Sequence, residues 1–314
     1  MSNFLEPLVD SLCAAIALIP KTIYRAITGK SNNCEDAGTN IKYTFLPLED
    51  LDIKSSIDYE YKEGDKEGLK ACVGYDILSN KPVWVDMLES HLLIAGMSRW
   101  GKSNMINVIL TGFMLSYSPN EIGFLLCDFK NADLKQFERY KHVRGKVSTC
   151  KSEFLNQLEL VKKEMDKRAK ILSEADCLNA IKYNKTNTTK MTYIIFVIDE
   201  LVQVTFDKTC REQLHLIMSK CASYGIYFIL ASQDCTKEVI GRCKMNISHT
   251  IGLHTRDKSD SDMIIKNAEL EDIRVVGRAK YDCGDLIEFQ SFYISEEQIK
   301  ALLKPLKKDD KVKA

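Results

Sequence analysis

An α/β fold built on a mainly parallel sheet, with helices on both faces, is what this sequence predicts, and three features carry that expectation. Apolar runs of strand length recur without polar alternation, at residues 92–95, 122–127, 193–198 and 227–231. Strands that are apolar on both sides are buried on both sides, which is the habit of parallel sheets. Segments with helical spacing of apolar residues lie between them, the β–α–β alternation of such folds. The third feature is the stretch Gly96-Met97-Ser98-Arg99-Trp100-Gly101-Lys102-Ser103-Asn104, set between the first strand and a helix.

That stretch has the P-loop pattern Gly-x-x-x-x-Gly-Lys-[Ser/Thr]. Backbone N–H groups of such a loop turn inward and form an anion-binding nest, and the next helix aims its N-terminal dipole at the same phosphates. Gly96 and Gly101 permit backbone angles and close approaches that a side chain blocks. The flanks argue against a plain glycine turn: 92–95 is strand-like, and Met105, Ile106, Ile109, Leu110, Phe113 and Met114 recur at helical spacing. Residues 96–104 are therefore the expected ATP-binding residues, with Lys102 reaching the β- and γ-phosphates and the Ser103 hydroxyl ligating Mg²⁺.

The run 194–198 delivers Asp199-Glu200 to the end of a buried strand, the edge where parallel α/β sheets place ligands. Asp199 is expected to hold Mg²⁺, directly or through water, and Glu200 to polarise an attacking water. A second acid aimed at water favours hydrolysis over transfer to a small acceptor. Gln233 ends the next apolar run on the same edge. It is a candidate to bond the γ-phosphate or the attacking water; a surface glutamine at a strand end is the bland alternative.

Lys+Arg and Asp+Glu are both 44, so the chain has no general basic coat, and any nucleic-acid contact has to come from local patches or from a ring that concentrates them. The 11 cysteines contain no Cys-x-x-Cys pair, which fits a reduced, cytoplasmic protein better than a disulfide framework or a zinc site. No run approaches the ~18–20 apolar residues of a membrane-spanning helix.

In order, residues 1–40 comprise an expected amphipathic helix and a polar linker, with Leu5, Leu8, Val9, Leu12, Ile16 and Ile19 on one face and Lys21, Arg25 and Lys30 behind. Such a helix packs on the domain or a neighbouring subunit, or lies peripherally on the inner face of a membrane. Residues 41–88 are expected to form a small β unit, with a strand over 41–46, a solvated linker or hairpin over 49–68 and strands at 69–75 and 82–86. Residues 89–303 form the nucleotide domain. Residues 304–314 are a charged tail, disordered from 306 onward.

The residues from about 69 to about 294 resemble the motor domain of the FtsK/SpoIIIE DNA translocases and the related coupling ATPases of conjugative elements. The likeness rests on Val73-Gly-Tyr-Asp, Pro82-Val-Trp-Val-Asp86, His91-Leu-Leu-Ile-Ala-Gly96, Asp128-Phe-Lys130 and Glu164-Met-Asp-Lys-Arg168. It continues through Asn179-Ala-Ile-Lys-Tyr-Asn184, Val197-Ile-Asp-Glu200, 224–233 and Lys258-Ser-Asp-Ser261. The resemblance implies a RecA-like ATPase that forms a homo-hexameric ring, threads DNA (duplex favoured) and pumps it by ATP hydrolysis. It also implies active sites between subunits and an arginine supplied in trans, with Arg168 and Arg211 as candidates. The lysine- and arginine-bearing segment 236–244 is a candidate pore loop, with packing against a neighbour as the equal alternative.

The chain departs from the family pattern at Ser98-Arg99-Trp100, where small residues are usual, and at Gln233-Asp234-Cys235, where Gln-Arg-Pro is usual. No multi-span anchor precedes the motor and no winged-helix module follows it, which points to a plasmid, phage or conjugative element. Two further readings stand beside the pump. One is a coupling ATPase that hands a relaxase-bound single strand to a secretion channel, with a relaxase or membrane-channel partner engaged through the N-terminal helix. The other is a nucleotide-gated scaffold with little turnover.

Overall fold

The computed structural model describes residues 57–64, 68–88 and 90–308; the expected helix over 1–30, the strand over 41–46 and the last six residues lie outside the described part. In chain order the strands are β1 (Ile57–Asp58), β2 (Lys70–Asp76), β3 (Pro82–Asp86), β4 (Leu92–Ala95) and β5 (Ile122–Cys127), then β6 (Tyr193–Ile198), β7 (Ile226–Ser232), β8 (His249–Gly252), β9 (Arg278–Asp282) and β10 (Leu286–Tyr293). The helices are α1 (Lys102–Ser116), α2 (Lys151–Glu174), α3 (Ala180–Thr186) and α4 (Leu201–Thr205), then α5 (Lys208–Met218), α6 (Lys237–Lys244), α7 (Lys258–Ile264) and α8 (Glu296–Leu302).

All ten strands belong to one sheet, ordered β3-β2-β10-β9-β8-β4-β7-β6-β5, with β1 paired to β10. The segment β8-β4-β7-β6-β5 is parallel, as the unbroken apolar runs predict. The other half corrects the expectation: β8-β9-β10-β2-β3 is antiparallel, so the sheet is mixed rather than mainly parallel. The hairpin β2–β3 does not stand apart as a small unit, because β2 pairs with β10 and its residues share a core with β4 and α1. The stretch read as a solvated linker contains β1, whose Ile57 pairs with Phe292.

Alternate residues of each parallel strand serve opposite faces. Leu92, Ile94, Ile195, Val197, Tyr227 and Ile229 join one core with α1, while Leu93, Ala95, Ile194, Phe196, Phe228 and Leu230 join the other with α2, α4, α5 and α6. Neither face meets water, which explains why the strands lack polar alternation. Phe154, Leu158, Val161 and Leu172 of α2 are buried as its spacing predicts. Side-chain caps start several helices: Asn179 for α3, Asp207 for α5, Asp257 for α7, and a Ser295–Gln298 capping box for α8.

Two more expectations are corrected. The candidate pore loop over 236–244 is largely helix α6. Residues 306–308 of the expected disordered tail are docked on the domain: Lys141 N–H donates to the Leu306 carbonyl at 2.9 Å and Lys308 N–H to that of Arg139 at 2.9 Å. No described helix is long and apolar enough to cross a membrane.

Candidate nucleotide site

Strand register brings the site together. Ala95, the last residue of β4, pairs with Ser232, the last of β7; Cys127 of β5 pairs with Ile198 of β6. Each strand ends on one edge, and the next residues are Gly96, Asp128, Asp199 and Gln233. That edge is the C-terminal edge of the parallel half, where open α/β sheets bind ligands.

The loop between β4 and α1 is shaped by its glycines. A Cβ on Gly96 meets the Leu253 Cβ at 2.8 Å, and Gly101 sits at φ 103° directly before α1, with the Gly277 backbone 3.3 Å from where its Cβ would lie. Arg99 adopts a left-handed φ of 68° without being glycine, and its side chain is exposed. Trp100 lies over His254 with ring centroids 3.9 Å apart, and its carbonyl accepts the Gly277 N–H at 3.3 Å. Of the Ser98-Arg99-Trp100 segment, Trp100 is thus packed on the 253–277 region, while Ser98 and Arg99 are exposed. Asn104 uses its amide on β10, donating to the Phe292 carbonyl at 2.6 Å and accepting the Ile294 N–H at 2.9 Å.

A cavity of about 520 Å³ opens over this loop. Ser98, Arg99, Gly101, Lys102, Ser103 and Gln233 line one side; Gly277, Gln290, Ser291 and Phe292, at the open end of the β9–β10 hairpin away from its turn, line the other. Lys102 is buried, which pulls its ammonium below the ordinary lysine range, while the nearby Asp199 and Glu200 pull it back up.

Asp199 is only 2% exposed, its Oδ1 has no hydrogen-bond partner, and burial pushes its carboxyl up to about 6 against the opposing pull of Lys102. Glu200 is buried beside it. Its Oε2 accepts from the Lys130 ammonium at 2.8 Å and its Oε1 from the Gln233 N–H at 3.3 Å. Burial draws the Lys130 ammonium down, but the bond to Glu200 and the surrounding carboxylates leave it above its ordinary value. The Gln233 side-chain oxygen accepts from the Ser98 hydroxyl, so Gln233 touches the P-loop with its side chain and Glu200 with its backbone.

The Ser103 hydroxyl donates to Asp133 Oδ2 at 2.7 Å. Asp133 belongs to the loop after β5, which Asp128 organises from within. Asp128 is fully buried; its Oδ1 accepts the Lys130 N–H, and its Oδ2 those of Ala132, Asp133 and Leu134. The oxygen groups here are the Ser103 hydroxyl, the Asp133 carboxylate that accepts from it, and the orphaned Asp199 Oδ1 of an acid whose charge Asp133 feels. Hard oxygen donors with an unsatisfied buried carboxylate fit a partly hydrated Mg²⁺ and do not suit a soft metal.

The structure thus gathers Lys102, Ser103, Asp199, Glu200 and Gln233 at one sheet edge, with Lys102, Ser103 and Gln233 lining the cavity. Sequence reasoning gave Lys130 no role and missed Asp133, Gly277 and Gln290. Arg168, one of the two candidates for the trans arginine, is already engaged within its own chain. Arg168 is 3% exposed and spends its guanidinium on Glu164 at 2.8 Å and on the carbonyls of Tyr224 at 2.6 Å and Thr192 at 2.8 Å, which ties α2 to the sheet. Arg211 is half-buried and donates to the Thr205 carbonyl at 2.8 Å.

The sequence pattern of the FtsK/SpoIIIE family matches residues 52–279. The DNA translocase FtsK of Leptospira interrogans is 28% identical over 316 residues, covering 96% of this chain and 33% of that protein. The DNA translocase SftA of Bacillus subtilis is 27% identical over 261 residues, covering 79% of this chain and 27% of that protein. The chain therefore spans at most about a third of the length of these two relatives. Among solved structures, the pCW3 conjugation coupling protein TcpA, in its monomer form with ATPγS, superposes with a TM-score of 0.70 at 24% identity, over 82% of this chain and 75% of that one. ATPases 2 and 3 of EssC from Geobacillus thermodenitrificans give 0.71 at 17% identity, over 80% and 51%. At such identities the likeness is one of fold.

Proposed function

The chain belongs to the FtsK/SpoIIIE family of P-loop ATPases, and from that premise we propose that it is the motor of an ATP-driven DNA translocase, acting as a hexameric ring on double-stranded DNA. The observation that carries the reading is the gathering of Lys102, Ser103, Asp199, Glu200 and Gln233 at one sheet edge, within the segment that matches the family.

In this reading the loop 96–103 and the N-terminus of α1 cradle the phosphates, and Lys102 neutralises the β- and γ-phosphates. Ser103 and Asp199 hold Mg²⁺, which when bound offsets the negative charge that gathers on the transferring phosphoryl group. Glu200 orients and deprotonates the attacking water. For that it must release at least one of the two donors that now occupy its oxygens. Gln233 reports the state of the γ-phosphate, because its side chain touches the P-loop while its N–H touches Glu200.

Steady-state ATP hydrolysis without DNA, then with saturating duplex or single strands at low salt, tests the proposal. Low salt matters because phosphate contacts weaken steeply as salt rises. Strong stimulation by duplex is expected. A preference for single strands selects the second reading, a coupling ATPase for relaxase-bound DNA, which draws on the fold shared with a conjugation coupling protein. Turnover that ignores both, at concentrations where rings form, removes the pump and leaves a nucleotide-gated scaffold.

A further inference from the structure

We propose that Asp133 is the positioning residue of the Mg²⁺ site: it holds the Ser103 hydroxyl proton so that the oxygen lone pair faces the cation. The inference rests on the reading of Ser103 as a Mg²⁺ ligand.

A hydroxyl that ligates a cation offers a lone pair to the metal and must place its hydrogen elsewhere. In this chain the hydrogen goes to Asp133, whose Oδ2 lies 2.7 Å from Ser103 Oγ. A carboxylate acceptor makes that bond charge-assisted and fixes the hydroxyl rotor more firmly than a neutral acceptor does. Asp199 Oδ1 does not share the task, since it is buried without a partner. The work is divided: Asp199 is free for the cation or its water, and Asp133 orients the first ligand.

The position of Asp133 is itself built. Its N–H donates to Asp128 Oδ2 at 3.0 Å, inside the loop that the fully buried Asp128 organises, and its carbonyl accepts from the Gln136 amide at 3.1 Å. Its charge is close enough to Lys102 and Asp199 to act on both. A purely structural role is the competing account: an acid near the start of α1 favours the helix dipole whether or not a cation binds. The two accounts separate on metal dependence.

The test is binding of mant-ADP, a fluorescent ADP, to the full chain while Mg²⁺ is raised from an EDTA-buffered baseline, with thermal melts in parallel. Partners that orient a metal ligand are typically worth ~10–100-fold in metal affinity, so Asp133→Asn is expected to raise the Mg²⁺ midpoint by about that factor. Metal-free nucleotide affinity is read at the EDTA baseline of each variant, so that loss of the Asp133 charge near Lys102 is separated from the shift in the Mg²⁺ midpoint. In a Ser103→Ala background the same substitution is expected to add little, because the hydroxyl it serves is gone. Asp133→Glu, which keeps a carboxylate acceptor, is expected to restore much of the midpoint. An unchanged Mg²⁺ midpoint in Asp133→Asn overturns the proposal, as does a lowered melting temperature with no midpoint shift, or full additivity with Ser103→Ala. If wild-type protein binds mant-ADP with no Mg²⁺ dependence, the reading of Ser103 has failed instead, and the proposal falls with it.

Discussion

Glu200 and Asp199 are adjacent, both buried, and differently employed. Glu200 has an acceptor bond on each oxygen, whereas Asp199 Oδ1 has none. Replacing Glu200 with Gln keeps the shape but removes the basic oxygen. ATP hydrolysis is expected to fall by ~10²–10⁴, the usual worth of a positioned general base, while ADP binding is retained. Undiminished turnover in a variant that still binds nucleotide excludes Glu200 as the base. Asp199 makes a different prediction, in stability against pH. Its folded-state pKa of about 6 stands above the ordinary value of 3.8. The folded protein therefore binds more protons than the unfolded chain between those values, and stability falls as pH rises through the window. Above pH 6 the full cost is present, of order 2–3 kcal/mol at ~1.4 kcal/mol per unit. Asp199→Asn is expected to be more stable than the parent by about that much at pH 7.5, with the gap closing as pH falls toward 4. Urea melts at the two pH values check this; a gap that does not change with pH excludes Asp199 as its source.

The loop from Asp128 to Leu134 is the element on which two site residues depend, since it carries Lys130 to Glu200 and Asp133 to Ser103. Asp128→Ala leaves four backbone N–H groups without their carboxylate, and each buried donor left unmade costs ~1–3 kcal/mol. Loss of at least about 2 kcal/mol is expected in chemical denaturation, together with weaker nucleotide binding because both site residues shift. Binding at full strength in a destabilised variant separates the loop from the site. This element also marks the limit of what the sequence made legible. The P-loop and Asp199-Glu200 are local patterns set by strand ends, so spacing and hydropathy were enough. The Asp133–Ser103 and Ser98–Gln233 pairs join residues far apart in the chain, and only the register of the parallel strands brings them together. β9 escaped notice for another reason. It buries Arg278 and Lys280 against Glu288 of β10, so a buried strand reads as a polar one. Missing β9 and β10 hid the antiparallel half of the sheet and, with it, the far wall of the cavity.

For the whole molecule, the formal charge of zero places a constraint on the proposed pump. A chain without net positive charge holds DNA through local basic patches, which a ring concentrates, so in the proposed pump ring closure and DNA stimulation should appear together. Duplex-stimulated hydrolysis is expected to rise with protein concentration along the same curve as assembly measured by sedimentation, and to fall steeply with salt while DNA-free turnover changes little. Doping examines how the subunits cooperate. Glu200→Gln chains, which keep the P-loop, are mixed with parent chains at fixed total concentration. If each cavity needs its neighbour's state in order to fire, DNA-stimulated turnover falls more steeply than the parent fraction. Turnover that tracks the parent fraction in a straight line, in samples where mixed rings are seen, means independent subunits, and a threaded, hand-over-hand ring is then excluded. Within one chain the Ser98–Gln233–Glu200 contacts let a change at the P-loop reach the proposed base through a single residue, so any signal a neighbour imposes on the P-loop has a short path to Glu200.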